Sequence, residues 1–515
     1  MRLLSLQQRD CSGLSPDSLF ILCLVARLRN KTVTKVRISE QKSKLPLIFY
    51  SEREYLKAAK QIKGRVRRGE NADLFAHILS KYYLCIQRQI KAMQTIEERR
   101  QIIDLLRHEV VPAMGCTEPV AVALCAARAA EMLGSLPQRV EVELSMNVLK
   151  NAMGVGIPGT GMIGLPIAIA LGMLVGKSSY KLEVLKDVTP EAVERGKQYI
   201  DEGRISIRLK EDAPDGLYIK VCAFGSERAE TAVICGEHTR FVDEAALGAG
   251  NTAAAEEAEE HDVPLSLRRI YDFISEVPIE EIAFIEESAQ MNMAAAEQAL
   301  AADYGHRVGN MLTEGANRTM VGDGTLTHVM AYTCAACDAR MSGAPIRVMS
   351  NSGSGNQGIA ATVPVAVFAR DHSVEHEIFI RALALSNLTA IYIKQSLGRL
   401  SALCGCIVAS TGSCCGITYM MGGSYEQICF AVKNMIANLT GMICDGAKPG
   451  CSLKLSSGVG TAMLSAMLAM QNCSVSNLEG IIDEDVDRSI RNLTGIGREA
   501  MQETNRMVVD IMTRK

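Results

Sequence analysis

Seven of the chain's seventeen cysteines, Cys404, Cys406, Cys414, Cys415, Cys429, Cys444 and Cys451, fall in one short stretch near the C-terminal end. Such density asks for a chemical reason. Cys444 and Cys451 stand at the two ends of CDGAKPGC, where aspartate, two glycines, lysine and proline prevent a regular helix and impose a turn that aims both sulfurs at one point. That arrangement suits metal ligation. Cys414, Cys415 and Cys429 lie in apolar helical sequence and read as packing residues, because a free thiol behaves as a small hydrophobe. Cys334 and Cys337 form a C-x-x-C with no second pair beside it, so no zinc signature is complete and the two read as part of a buried helix. Soft thiolates spread over separate segments, with an incomplete local set, point to an iron–sulfur cluster with one iron left open.

Other reactive groups surround this stretch in the sequence. In GCTEP, Cys116 precedes a helix that has Thr117 at its N-cap and Pro119 in its first turn and that ends at Gly134. The positive end of that helix favours a thiolate at Cys116, and Glu118 beside it is a candidate base. Lys448, between Cys444 and Cys451, is a second candidate if burial lowers its pKa. The glycines of NAMGVGIPGTGMIG let backbone N–H groups approach an anion, so this run reads as a substrate-carboxylate pocket or lid with Asn151, Gly159 and Thr160 as contacts. It matches neither a dinucleotide fingerprint nor a P-loop. SNSGSGNQGIAATVP is a polar loop ahead of an apolar helix, suited to holding a carboxylate through backbone donors, Ser352 and the amides of Asn351 and Asn356. Lys394 and Arg399 lie about one helical turn apart ahead of the cysteines and are candidate carboxylate partners. The eight histidines all fall outside these runs, which argues against histidine catalysis.

Five of these runs, taken together, resemble a known family. They are VVPAMGCTEPVAVALCAARAA (111–131), NAMGVGIPGTGMIGLPIAIALG (151–172), SNSGSGNQGIAATVPV (350–365), YIKQSLGRLSALCGC (392–406) and NLTGMICDGAKPGCSLKLSSGV (438–459). They look like the L-cysteine desulfidases, relatives of the catalytic alpha domain of iron–sulfur L-serine dehydratases, in matching order from about residue 95 to the end. The resemblance implies a 4Fe-4S cluster. The desulfidase pattern carries ligation over to Cys116, Cys406 and Cys444, whereas the dehydratase pattern carries it to Cys406, Cys444 and Cys451. With three protein thiolates, one iron stays open as a Lewis acid for the β-substituent of an amino acid while a base takes the α-proton. For L-cysteine the products are pyruvate, ammonia and hydrogen sulfide. An L-serine or L-threonine dehydratase on the same scaffold is the alternative, and a non-catalytic amino-acid-binding relative is a third. A separate serine-dehydratase beta domain is not seen, which favours cysteine. Nothing resembles a pyridoxal phosphate cradle with its Schiff-base lysine.

The elements that must bring these residues together read mainly as helices. The 515 residues are 48% apolar but only 4% aromatic, with no Trp, and they are rich in Ala, Gly, Met and Cys. Small side chains of this kind let helix backbones approach closely. From Glu97 a helical stripe of Ile102, Ile103, Leu106 and Val110 runs until Pro112 interrupts it. Between 138 and 244 the pattern changes to short alternating runs such as RVEVELSMNVL and LYIKVCAFG around the helical PEAVERGKQYIDEG. The fold class expected is α+β: a mainly helical catalytic domain (95–137 and 245–515) with an inserted small β-rich subdomain (138–244). Residues 1–94 are a basic N-terminal extension, and the first hundred residues hold 21 Lys and Arg against 9 Asp and Glu. The extension lacks a nucleic-acid motif, and LFILCLVARL is too short to span a bilayer, so neither nucleic acid nor membrane is an expected partner. Met93 is a candidate alternative start. A small-molecule amino-acid substrate is the expected partner, with a homodimer compatible with the composition. Reduced thiols, an oxygen-sensitive centre and no export signal point to the cytoplasm.

Overall fold

The computed structural model describes residues 96–244, 263–398 and 400–514. The basic extension, the Ala/Glu-rich stretch 245–262 and Arg399 lie outside the described residues. From Glu98 onward the chain forms one unit. The first described helix covers residues 96–109, buries Ile102, Leu105 and Leu106, and stops before Pro112, which lacks the N–H needed to continue it.

The sheet half follows. Strand β1 (Pro112–Met114) leads into helix α1 (Thr117–Leu133), whose C-terminus is capped by Gly134 at φ 73°. Then come β2 (Arg139–Leu144), α2 (Met146–Ala152), α3 (Leu165–Val175), α4 (Pro190–Asp201), β3 (Ile205–Leu209), β4 (Tyr218–Phe224) and β5 (Ala229–Cys235). The four-stranded sheet has the order β3-β2-β4-β5, with β2 parallel to β3 and antiparallel to β4. Alternation places Val140, Val142 and Leu144 of β2 on the buried face. Helices α1 and α3 cover that face and share one apolar core with it. Helix α1, which precedes the β-rich segment expected from sequence, thus packs as a layer on its sheet.

The helical half comprises α5 (Leu267–Glu276), α6 (Glu286–Leu300), α7 (Thr325–Met341), strand β6 (Arg347–Met349), α8 (Gly355–Asp371), α9 (His376–Leu397), α10 (Gly405–Met420), α11 (Tyr425–Leu439), α12 (Cys451–Met470), α13 (Val486–Gly495) and α14 (Gln502–Thr513). Antiparallel pairing of β1 with β6 stitches the two halves. Helix α10 lies at the centre, packed on α8, α9, α11 and α12. Small residues make this possible: a Cβ added at Gly412 would stand 2.2 Å from the Ser386 carbonyl oxygen of α9, and one at Gly458 of α12 would stand 2.6 Å from Ser410 Oγ. Among the described residues one helix, Cys451–Met470, is long and apolar enough to cross a membrane by composition; here it packs within the bundle against α7, α10 and α11. Helix α14 returns to α2, where the Asn505 Oδ1 accepts from the fully buried Lys150 Nζ at 2.6 Å.

Candidate functional site

The cavity of interest is assembled at element ends. Cys116 is the N-cap of α1, Asn151 lies in α2, Ser352 to Gln357 enter α8, and Leu403 to Cys406 enter α10. The turn 444–450 enters α12 at Cys451. Two backbone bonds, Cys404 N to Met442 O at 3.0 Å and Cys444 N to Ala402 O at 2.6 Å, flank an antiparallel bridge between Leu403 and Ile443. This short ladder brings the C-G-C segment beside the CDGAKPGC turn. The result is a cavity whose wall includes Cys116, Cys404, Cys406, Cys444 and Cys451. Four of those five thiols are the cysteines proposed from sequence; Cys404 joins them because Cys406 opens the helix only two residues later.

Asn151 holds two of the sulfur-bearing segments together. Its Nδ2 donates to Glu118 Oε1 at 2.9 Å, its Oδ1 accepts from Cys444 Sγ at 3.8 Å, and its backbone oxygen lies 4.0 Å from Cys116 Sγ. Glu118 Oε2 also accepts from Cys116 Sγ at 3.1 Å and from Thr117 Oγ1 at 3.0 Å. Burial alone raises the Glu118 carboxyl, but the facing His238 charge and the Cys116 and Asn151 hydrogen bonds outweigh it, so the group sits below the ordinary carboxylate range. Burial and the Glu118 charge push the Cys116 thiol well above its usual value. Desolvation thus opposes the helix-end field that favours a thiolate at Cys116, and in this structure the thiol donates to Glu118. At Cys404 the balance goes the other way. A hydrogen bond from the Cys406 thiol, opposed by burial and aided by Lys454, lowers it to about 6, and Cys406 as the donor is raised. Burial lifts Cys451 to about 11.

The donor set fits a thiolate-bound cluster better than a single ion. Among the described residues no three His, Cys, Asp or Glu side chains already converge on one metal-sized point. Five thiols do lie on the wall of one cavity, and soft thiolate donors of this kind suit an iron–sulfur centre. All cysteines in the described residues are free thiols.

Several sequence expectations are relocated. Ser352, Asn356 and Lys394 line the cavity, whereas Arg399 lies outside the described residues. Thr117 is not the N-cap, a place Cys116 takes, and its hydroxyl serves Glu118 from behind the cavity wall. Gly159 and Thr160 are absent from the cavity wall. Their loop is a tight turn in which Thr160 Oγ1 donates to Ile157 O at 2.8 Å and accepts from Met162 N at 2.9 Å. Its Gly156 is needed for close packing, since a Cβ there would meet the Ser342 carbonyl carbon at 2.2 Å. Lys448 is not on the cavity wall either: its Nζ lies 2.5 Å from Asp445 Oδ1 and its side chain is one-third exposed. Asn351 is committed to Asn387, donating to its Oδ1 at 2.9 Å. Residues not anticipated are His238, Arg340, Gln357, Cys404 and Lys454, all on the cavity wall. Lys454 was legible in principle, one helical turn past Cys451. His238, on the turn after β5, lies outside the motifs singled out from sequence and still reaches the cavity wall.

The family model described as serine dehydratase alpha chain matches residues 179–510. A UPF0597 protein of Bacteroides fragilis is 62% identical over 427 residues, 82% of this chain and 99% of its own length. One from Bacteroides thetaiotaomicron is 62% identical over 423 residues, 81% of this chain and 98% of its own, and one from Porphyromonas gingivalis is 54% identical over 434 residues, 82% and 100%.

Proposed function

The chain belongs to the serine dehydratase alpha-chain family, and from that premise we propose that it is an iron–sulfur-dependent lyase that converts L-cysteine and water to pyruvate, ammonia and hydrogen sulfide. The observation that carries this reading is five thiols and a buried carboxylate on the wall of one cavity, contributed by segments hundreds of residues apart in sequence. Cys116, Cys406 and Cys444 are the proposed ligands of a 4Fe-4S cluster, with Cys451 and Cys404 beside them. When bound, such a cluster supplies a Lewis-acidic iron for the departing sulfur.

The protein's own groups account for the rest. Asn151 sets the spacing of the Cys116 and Cys444 segments through its three contacts. Glu118 is kept ionised at neutral pH and is the proposed acceptor of the α-proton at Oε2. A ligating Cys116 carries no S–H, so it no longer donates to Oε2, and that oxygen is left with one donor fewer. Loss of the α-proton and departure of the β-thiol give an enamine, which tautomerises to an imine and hydrolyses to pyruvate and ammonia. The soft, sulfur-lined wall favours a thiol over a hydroxyl leaving group. The name of the matching family favours L-serine as a second substrate by the same elimination, with water leaving in place of hydrogen sulfide.

The test is purification without oxygen, quantification of iron and acid-labile sulfide, and assay of pyruvate and hydrogen sulfide from L-cysteine and L-serine side by side. Bound iron with pyruvate and sulfide from L-cysteine is the expected result. Pyruvate from L-serine alone moves the assignment to the dehydratase, and a folded, iron-free, inactive protein overturns it.

A further inference from the structure

The cavity wall contains a buried cation with no ion-pair partner among the described residues. Arg340, near the end of α7, is 2% exposed. Its Nη1 donates to Asn356 Oδ1 at 2.9 Å, while its Nε and Nη2 have no hydrogen-bond partner and no ion pair reaches it among the described residues. A buried guanidinium left so is costly, by several kcal/mol in general terms, unless something else completes it. Gly355, the first residue of the 17-residue helix α8, lies directly against it: a Cβ added there would stand 2.3 Å from Arg340 Nε. Only glycine lets the helix start come so close. The positive end of α8 therefore adds to the guanidinium charge at one spot of the cavity wall. Two residues on, Gln357 is 4% exposed and its Oε1 also lacks a partner. Its amide rests on Gly405, the first residue of the helix that carries Cys406, at 3.0 Å from the position a Cβ would take. The cavity thus presents an unmatched cation and, beside it, an unmatched acceptor.

We infer that Arg340 and Gln357 are the pair that recognises the backbone end of a small zwitterionic α-amino acid, the guanidinium with the start of α8 taking the carboxylate and Gln357 Oε1 taking the ammonium. This rests on the reading of the cavity as an amino-acid site but not on the elimination itself. It makes Arg340 rather than the sequence-favoured lysine and arginine of 394–399 the determinant of carboxylate specificity. A ligand held so turns its β-substituent away from the α7–α8 wall, toward the thiols.

The test uses the anaerobically purified holoprotein and calorimetric binding of L-alanine, propionate and ethylamine, none of which has a leaving group. L-alanine is expected to bind about 10- to 100-fold tighter than ethylamine, the range for losing a charge-assisted bond, and clearly tighter than propionate. Arg340→Lys is expected to weaken L-alanine by a similar factor and to leave ethylamine unchanged. Gln357→Met is expected to weaken L-alanine and leave propionate unchanged. Equal binding of ethylamine and L-alanine to the unaltered protein overturns the inference, and so does wild-type L-alanine affinity in a folded Arg340→Lys protein. If Arg340→Lys does not fold, the ligand series on the unaltered protein decides alone. Arginine-dependent binding without turnover of L-cysteine or L-serine sinks the proposed activity and upholds this site; turnover of L-cysteine with unchanged KM in Arg340→Lys does the reverse.

Discussion

Replacing Asn151 by leucine removes one side-chain donor from a buried carboxylate while keeping volume. Glu118 and Asn151 are 7% and 8% exposed, so water cannot readily substitute for the lost 2.9 Å bond. A hydrogen bond to an ionised group contributes about 1.5–3 kcal/mol, so its loss raises the folded pKa of Glu118. The sign of the pH dependence follows from linkage. Glu118 lies below its ordinary value of 4.5 in the folded protein, so its ionised contacts stabilise the fold above that value and are lost as pH falls through the folded pKa. Asn151→Leu is therefore expected to cost about 2 kcal/mol at pH 7 and progressively less on acidification through that window. Chemical denaturation of the wild type, Asn151→Leu, Glu118→Gln and the double variant at both ends of the window measures the penalty and the coupling. A coupling under about 0.5 kcal/mol at pH 7, within the usual error of additivity, refutes the reasoning, and so does a penalty that grows toward acid. The same variant is expected to hold less iron, since Asn151 also meets Cys444 and Cys116.

Three further outcomes follow from the packing and charge. Asn505→Leu deprives the fully buried Lys150 ammonium of its 2.6 Å acceptor, leaving only the Ser401 carbonyl at 3.3 Å, and is expected to lower stability by about 1.5–3 kcal/mol in thermal or denaturant unfolding. Gly412→Ala drives a methyl to 2.2 Å from the Ser386 carbonyl oxygen and is expected to cost about 1–3 kcal/mol, whereas alanine at the half-buried but unobstructed Gly495 is expected to be near neutral in the same melts. His328 is raised above 6.5 by hydrogen bonds to Asp323 and Asp371, so its contribution is complete below that value and lost as pH rises through the folded pKa. The melting difference between wild type and His328→Asn is expected to be larger at pH 6 than at pH 8.5, and modest because the cluster is partly solvated.

Much of the fold was legible in the chain. The helical stripe before Pro112, the stop of α1 at Gly134 and the alternation of β2 are produced by neighbours within a turn or two, so sequence alone determines them. The abundance of Gly and Ala announced close helix packing, realised at Gly412 and Gly458. The segments bearing Cys116, Cys406, Cys444 and Cys451 were identifiable, and all four line the cavity. Which side chains face it was decided elsewhere. Arg340 sits in an ordinary helical run with no local signal and reaches the cavity only because Gly355 of α8 leaves room for its guanidinium. Lys448, by contrast, is three residues from a helix start that faces the site, yet its ammonium pairs with Asp445 and it is not on the cavity wall. His238 enters through a strand end, and the charge state of Cys116 follows from how deeply α1 is covered rather than from its place at the helix start. Local hydrogen-bond rules and side-chain size act along the chain and can be read from it, whereas burial, side-chain direction and the field at a thiol depend on atoms supplied by segments hundreds of residues away, and only the packed structure settles them.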